Sequence, residues 1–260
     1  MNSETFATVD GEGPPLVLVH GVGLDHTMWD RVLDSLGASR RVIRYDLLGH
    51  GQTPDPSGPR TLGDFVVQLL TVLDAHRIDR ADVAGLSLGG MVALAAAARQ
   101  PGRFARLALL NTVFERSPEQ VASALRRMAI AESEGMAAVA DLAVDRWFSP
   151  QWQAEHPAQV DQIRRRLADT DPVGYLKAYR VFIAGDPLMP KGATAVTATT
   201  LAMTGELDPG STPDMSRALA AAVPGGQVRI LAGLHHLPPV EAPSTFAGAL
   251  SEFLDREATS

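Results

Sequence analysis

The sequence predicts an α/β protein with a mostly parallel, doubly wound sheet that is interrupted by a helical insert. Between residues 16 and 108, short apolar runs alternate with longer segments of helical spacing, as repeated βαβ units require. Residues 16–20 are apolar on both alternating faces, as expected for a strand that helices cover on both sides. From Ser117 to about Lys191 the spacing is helical throughout, which places the insert after the fourth predicted strand.

The elements before the insert alternate strictly along the chain. The segment ahead of residue 16 is short and leaves room for at most one further strand. The predicted strands are 16–20, 42–46, 81–85 and 107–110, and the predicted helices are 28–36, 62–76 and 88–99.

Two helix start signals fall within the insert. Ser117 and Asp171 each precede a proline, which combines a capping side chain with the residue favoured at the first helical position. The insert therefore interrupts one sheet, and the chain is predicted to comprise core residues 1–113, a helical cap at 114–192 and core residues 193–260. The predicted helices of the insert are 118–135, 137–147, 156–168 and 172–184, and beyond it we predict strands 197–204 and 227–231 and helices 213–222 and 243–255.

Composition excludes several classes of function. The 260 residues are 45% apolar and 20% charged, which is typical of a folded globular chain with a sizeable core. The absence of cysteine excludes a disulfide framework, a thiolate nucleophile and any Cys-ligated metal. A net charge of −7 argues against nucleic acid as a partner. The longest apolar run, 91–98, is too short to span a membrane, and the N-terminus lacks signal-peptide features, so a cytoplasmic location is expected.

Ser87 is the candidate nucleophile. It lies in Gly85-Leu86-Ser87-Leu88-Gly89, between a predicted strand and the helix that starts at once. A serine at such a sharp strand-to-helix turn needs small residues two positions away on either side. The helix N-terminus beyond it would stabilise an oxyanion. The alternative is a glycine-rich helix start with an N-capping serine, but the strand–turn–helix setting favours the nucleophile.

A serine needs a neighbouring base, and the base needs an acid. His235 and His236 follow the strand 227–231, and Asp208 follows the strand 197–204, with Glu206 as its rival. Adjacent histidine side chains diverge and no third ligand pattern accompanies them, so no metal site is predicted. The order Ser87, Asp208, His236 is the serine–acid–histidine order of α/β-hydrolases.

Four segments make the chain similar to α/β-hydrolase fold enzymes over nearly its full length. Residues 20–23, His-Gly-Val-Gly, resemble the family's oxyanion loop, and residues 44–53 resemble its D-x-R-G-x-G-x-S turn, with Leu48 replacing the arginine and Thr53 the serine. Residues 205–213 resemble the acid turn, and residues 233–243 resemble a G-x-G-H-x-x-x-x-E-x-P ending. The resemblance favours Asp208 over Glu206 and aligns His236 with the catalytic histidine.

The H-G-x-G-x-D loop and a four-helix cap resemble the 3-oxoadipate enol-lactone hydrolase and carboxylesterase branch. This resemblance implies hydrolysis of a small ester or lactone through an acyl-enzyme. Ser87, His236 and Asp208 would form the triad, and the N–H groups of Val22 and Leu88 the oxyanion hole. No cofactor or metal is implied, because protein groups fill every catalytic role.

Substrate contacts are expected from the insert, with Trp147, Phe148 and Tyr179 as candidates. The wider set of apolar and aromatic candidates is Met128, Met136, Trp147, Phe148, Trp152, Tyr175, Tyr179 and Phe182. Arg164, Arg165 and Arg166 form either a clamp for a substrate carboxylate or a solvated helix face. Three consecutive helical residues cannot all face one pocket, which favours the solvated face.

Two other functions remain open from the sequence. One is carbon–carbon bond hydrolysis of ring-cleavage diketones, against which the absence of a G-G-G-P-G-like oxyanion loop counts mildly. The other is a non-catalytic ligand-binding homologue, against which an intact triad argues. The sequence leaves the natural substrate undetermined, as well as whether the chain forms a homo-oligomer.

Overall fold

A computed structural model describes residues 5–256, in which seven strands form one sheet. The spatial order is β1-β3-β2-β4-β5-β6-β7; β1 runs antiparallel to β3, and the other neighbouring pairs are parallel. The predicted mostly parallel sheet is thereby confirmed. The strands are β1 (Ala7–Asp10), β2 (Pro15–Val19), β3 (Arg41–Tyr45), β4 (Ala81–Leu86), β5 (Phe104–Leu110), β6 (Thr199–Gly205) and β7 (Gln227–Leu231).

Helices connect the strands, and short 3₁₀ segments lie at His26–Val32, Pro101–Arg103 and Asp186–Leu188. Within residues 5–256, none of the helices combines the length and apolar character that a membrane span requires. The α-helices are α1 (Leu33–Leu36), α2 (Leu62–Ala75), α3 (Leu88–Arg99), α4 (Pro118–Ser133), α5 (Met136–Trp147), α6 (Pro150–Glu155), α7 (Pro157–Ala168), α8 (Pro172–Gly185), α9 (Met189–Thr194), α10 (Pro213–Ala222), α11 (Pro238–Glu241) and α12 (Pro243–Leu254).

The sheet carries an apolar core on each face, because successive strand residues point to opposite sides. On β2, Leu16 and Leu18 pack with Trp29 and with residues of α12. Val17 and Val19, the alternate residues, pack with residues of α2 and α3 on the other face. These β2 side chains are completely buried. Each stabilises the fold by about 1.5–3 kcal/mol relative to an exposed side chain, so helices are needed on both faces.

The six predicted strands all occur, and two elements near the N-terminus differ from expectation. β1 is a four-residue antiparallel edge strand, too short for its alternation to stand out in the sequence. The helix predicted at 28–36 is instead the 3₁₀ segment His26–Val32 followed by α1. Its start is set by Asp25, whose side chain accepts from Thr27 N–H at 2.9 Å. Trp29 and Val32 are both buried, as their three-residue spacing on a 3₁₀ helix requires.

Helices α4–α9 lie between β5 and β6 and form the insert, with two helices more than predicted. Both predicted helix N-caps are confirmed. The Ser117 side chain accepts a hydrogen bond from Gln120 N–H at 3.3 Å, and the Asp171 side chain accepts one from Gly174 N–H at 2.7 Å. The additional helices, α6 and α9, have six residues each. Segments of that length are too short to establish a helical period in the sequence.

The parallel strands bring the candidate residues to one edge of the sheet. β2 is in register with β4, so the loop after Val19 lies beside the turn after Gly85. β6 is likewise in register with β7, with Gly205 opposite Leu231. The carboxyl ends of these strands therefore carry the segments that contain Val22, Ser87, Asp208 and His236.

Candidate active site

Ser87 lies in a strained turn between β4 and α3. Its backbone has φ 56° and ψ −113°, a conformation with positive φ that residues other than glycine rarely adopt. A Cβ added at Gly85 would clash with the carbonyl oxygen of Gly89, and one added at Gly89 would clash with that of Val19. The glycines that flank Ser87 are thus sterically required, as the sequence predicted. Ser87 is buried near the wall of a cavity of about 220 Å³.

His236 and Asp208 form a buried hydrogen-bonded pair. Nδ1–H of His236 donates to Oδ2 of Asp208 at 2.7 Å. The other carboxylate oxygen, Oδ1, accepts from the N–H groups of Gly210 at 2.8 Å and Ser211 at 3.0 Å. Burial alone would raise the pKa of Asp208, but the charge and hydrogen bond of His236, with further hydrogen bonds from the Asn111 side chain and Ser211 N–H, hold it below its ordinary value. Asp208 is therefore an ionised acceptor that fixes the orientation of the imidazole.

His235 and Glu206, the alternatives for the base and the acid, have other hydrogen-bond partners. Nδ1 of His235 lies 3.1 Å from Oε1 of Glu241, whose Oε2 accepts from the backbone N–H of His235 at 2.7 Å. Glu206 is exposed and accepts from Gly233 N–H at 2.9 Å. Of the two histidines and two acids that the sequence left open, the structure pairs His236 with Asp208.

Ser87 and His236 line the same cavity. Because Nδ1 of His236 is occupied by Asp208, Nε2 is the ring nitrogen left to accept a proton. Within residues 5–256 no hydrogen bond joins Ser87 Oγ to His236; such contacts commonly tighten only when substrate binds. The indole of Trp147 stacks on the imidazole with ring centroids 5.7 Å apart. The backbone carbonyl of Trp147 accepts a hydrogen bond from the backbone N–H of His236 at 3.3 Å. This packing restricts the ring to one orientation.

The two backbone donors predicted for the oxyanion hole flank Ser87. Val22 lines the cavity, and Leu88 is the first residue of α3, where a helix leaves its N–H groups without intrahelical partners. The loop that contains Val22 is held by His20, whose Nδ1–H donates to Gly21 O at 2.7 Å and whose Nε2 accepts from Leu47 N–H at 2.9 Å. Burial lowers the pKa of His20. A neutral imidazole with one donor and one acceptor fits both contacts.

Acidic pH should destabilise the fold through His50, which is buried with its ring centroid 5.4 Å from that of His20. Burial, with a smaller contribution from His20, lowers the pKa of His50 to about 4. Below a pH of about 6.5 the unfolded chain binds a proton that folded His50 rejects, so stability falls as the pH drops from 6.5 toward 4. Between pH 7 and pH 5 the expected loss is on the order of 2 kcal/mol.

Urea unfolding at pH 7 and pH 5 measures this loss, and His50→Gln provides the comparison. The free energy of unfolding should decrease less between the two pH values in the variant than in the parent protein. An equal decrease in both proteins would assign the acid sensitivity to other groups.

The cavity wall comes mostly from the insert and includes only part of the predicted set. Trp147 and Tyr179 line it, as do Tyr175 and Phe182. Phe148 does not: it is the residue that follows α5, and it is buried against Trp152 with ring centroids 4.4 Å apart. The prediction that Phe148 contacts substrate is corrected accordingly.

Arg164, Arg165 and Arg166 also lie outside the cavity wall. Arg164 pairs with Asp141 at 2.8 Å and with Asp161 at 3.0 Å. Arg166 pairs with Asp25 at 3.1 Å. The solvated-face interpretation therefore fits Arg164 and Arg165, whereas the side chain of Arg166 is mostly buried beside Asp25.

Sequence reasoning missed three arginines that do line the cavity: Arg116, Arg127 and Arg146. A signal existed on α5, where Val139, Ala143 and Arg146 share the spacing of one helix face and all line the cavity. An arginine in an otherwise apolar stripe indicates a group that points into a site rather than into solvent.

Asn111 was also missed. It follows β5 with φ 45°, and its side-chain N–H₂ donates to Asp208 Oδ2 at 2.8 Å, Thr204 Oγ1 at 3.1 Å and His235 O at 3.1 Å. It joins the acid loop to the histidine loop and is a positioning residue. Within residues 5–256, no group of three or more His, Asp or Glu side chains is arranged to hold a metal ion.

Known proteins resemble this chain over part or nearly all of its length. The enol-lactonase structure from Burkholderia xenovorans superimposes with a TM-score of 0.90 at 32% identity, covering 97% of this chain and 96% of that one. The (E)-2-((N-methylformamido)methylene)succinate hydrolase of Acinetobacter baylyi is 28% identical over 94% of this chain and 92% of its own. A 2-hydroxy-6-oxo-2,4-heptadienoate hydrolase of Pseudomonas putida is 42% identical, but over 40% of this chain and 39% of its own.

These similarities confirm the expected likeness to enol-lactonases. The family model for the alpha/beta hydrolase family matches residues 16–249, which include Ser87, Asp208 and His236. The sheet order, the strained serine turn and this match agree, and the chain belongs to the alpha/beta hydrolase family.

Proposed function

We propose that this protein is a serine hydrolase that cleaves a small ester or lactone through an acyl-enzyme. The observation that carries the proposal is the buried His236–Asp208 hydrogen bond at the same cavity as Ser87 in its strained turn. No other group of described residues on this cavity combines a nucleophile with an oriented base.

In the first half-reaction, Ser87 Oγ attacks the substrate carbonyl carbon while Nε2 of His236 accepts the hydroxyl proton. The negative charge that develops on the carbonyl oxygen is bound by the N–H groups of Val22 and Leu88. A donor of this kind contributes about 3 kcal/mol of transition-state stabilisation. Protonated His236 then donates to the leaving oxygen, and the acyl group remains on Ser87.

In the second half-reaction, His236 accepts a proton from water, which attacks the acyl carbon and releases the acid. Asp208 stays ionised throughout and stabilises the imidazolium in both steps. A lactone follows the same path, except that its leaving oxygen stays tethered to the acyl group. The proposal assigns residues 114–192 the role of a cap that bounds the substrate cavity.

Labelling with a fluorophosphonate tests the nucleophile directly. We expect folded protein to form an adduct that peptide mass spectrometry places on Ser87, and heat-denatured protein to form none. Absence of an adduct on the folded protein would favour a non-catalytic ligand-binding role.

Turnover decides between ester and carbon–carbon bond hydrolysis. The second candidate is kept because of the partial similarity to a 2-hydroxy-6-oxo-2,4-heptadienoate hydrolase. We expect short aryl esters and lactones to be hydrolysed faster than ring-cleavage diketones. The reverse order would select the carbon–carbon hydrolase.

A further inference from the structure

The cavity at Ser87 carries an unusual charge. The chain as a whole has 30 acidic and 23 basic residues, yet the cavity is lined by Arg116, Arg127 and Arg146 and by no aspartate or glutamate. Each of these arginines lies on the insert or at its start, opposite the edge of the sheet that carries Ser87. The wall that faces the nucleophile is therefore cationic.

Arg127 and Arg146 lack anionic partners. Within residues 5–256, neither guanidinium forms an ion pair with a carboxylate. Arg127 donates through Nε to the Tyr179 hydroxyl at 2.9 Å and through Nη1 to Ser123 Oγ at 2.9 Å, so both of its partners are neutral. Nη1 of Arg146 is buried and has no hydrogen-bond partner among the described residues.

Burial lowers the pKa of Arg146, and the neighbouring positive charge of Arg127 lowers it further, while Tyr179 and the charge of Asp208 act in the opposite direction. Holding two cations at one cavity without a directly paired carboxylate is unfavourable in the empty protein. The cost would be offset by a bound anion that accepts hydrogen bonds from both guanidinium groups.

Arg116 differs from the other two. Its backbone N–H donates to Asp186 Oδ2 at 2.9 Å, and the charge of Asp186 acts against the lowering of the Arg116 pKa that burial causes. Its guanidinium lies over the ring of Phe182, 4.1 Å from the centroid, and donates to Phe182 O at 2.9 Å. Nη1 of Arg116 is also buried without a hydrogen-bond partner among the described residues. Because the ring of Phe182 and the charge of Asp186 stabilise the Arg116 guanidinium, the less compensated charge belongs to Arg127 and Arg146.

Arg146 lies close to the catalytic pair. Its Nε is 4.0 Å from the position of a Cβ on Gly210, the residue whose N–H binds Asp208. Trp147, the next residue, stacks on His236 and has a buried Nε1–H without a partner among the described residues. An anion at Arg146 would therefore belong to the same small molecule that presents its carbonyl to Ser87.

We infer that Arg127 and Arg146 form a subsite for a free carboxylate, so that the substrates are small esters or lactones bearing a negative charge. This inference rests on the proposed hydrolase function for its kinetic consequences. Binding of the anion itself is independent of turnover, so the two proposals can fail separately.

Matched substrates provide the kinetic test. The p-nitrophenyl monoester of glutaric acid carries a carboxylate, and p-nitrophenyl pentanoate is a neutral ester of similar length. We expect kcat/KM to be higher for the anionic ester by about 10- to 100-fold, the range for a charge-assisted hydrogen bond. In Arg146→Met the ratio of the two kcat/KM values should fall by a similar factor, and Arg127→Met should lower it in the same direction.

Arg126→Met is the control variant. Arg126 is the exposed neighbour of Arg127 on α4, and it does not line the cavity. Its substitution removes the same charge from the same helix and should leave the ratio within about 2-fold of the parent value. An equal decrease of this ratio in Arg126→Met and Arg146→Met would show that the net charge of the protein causes the preference, and it would overturn the subsite.

Calorimetry on the Ser87→Ala variant tests binding without catalysis and without altering either arginine. We expect glutarate to bind and the neutral glutaramide to bind at least 10-fold more weakly. Equal binding of the two, or no binding of glutarate, would overturn the carboxylate subsite even if Ser87 is labelled and esters are hydrolysed. Selective glutarate binding without labelling or turnover would retain the subsite and reject the hydrolase.

Discussion

Replacing Ser87 with alanine should lower kcat for ester hydrolysis by about 10⁵- to 10⁶-fold, since the proposed mechanism forms the acyl-enzyme on Ser87 alone. Binding of substrate should change far less, because the hydroxyl contributes mainly to the transition state. Alanine retains the Cβ that the φ 56° turn already accommodates, so the free energy of unfolding should change by less than about 1 kcal/mol. Steady-state kinetics and urea unfolding on the same preparation measure both quantities.

Ser216→Ala provides the matched control. Ser216 is another buried serine, located on α10 and outside the cavity wall. The same loss of one oxygen there should leave kcat within about 2-fold of the parent value. A Ser87→Ala protein that keeps a tenth of the parent activity would show that Ser87 is not the nucleophile.

The sequence predicted the parts of the site that backbone geometry dictates. The need for glycine beside Ser87 can be predicted from the sequence, because any side chain at Gly85 would clash with the Gly89 carbonyl oxygen. The position of Asp208 was predictable because parallel strands deliver their carboxyl ends to one edge of the sheet. These constraints act within a few residues or through the regular sheet, so they leave a local signature.

The choice between neighbouring side chains was not predictable in the same way. Whether His235 or His236 faces the cavity depends on Glu241, which holds His235, and on Trp147, which stacks on His236 from the insert. Such contacts join segments that are far apart in the sequence. The arginines of the cavity wall were missed for the same reason, since the packing of α4 and α5 decides which face of each helix meets the sheet edge.

Replacing Asp208 with asparagine should lower kcat by about 10⁴-fold while the structure persists. The amide of asparagine can donate toward His236 where the carboxylate only accepts, which favours the tautomer with its proton on Nε2. That proton would occupy the nitrogen that must accept from Ser87. The imidazolium would also lose the charge that now stabilises it at 2.7 Å.

Glu206→Gln makes the matched change two residues away and separates the two acids. Glu206 is exposed, and the hydrogen bond that its side chain accepts from Gly233 N–H can be kept by the amide oxygen of glutamine, so kcat should stay within about 3-fold of the parent value. Fluorophosphonate labelling should slow in Asp208→Asn in proportion to kcat, because both reactions need His236 to accept the proton of Ser87. A large loss of activity in Glu206→Gln, with Asp208→Asn near the parent level, would transfer the role of the acid to Glu206.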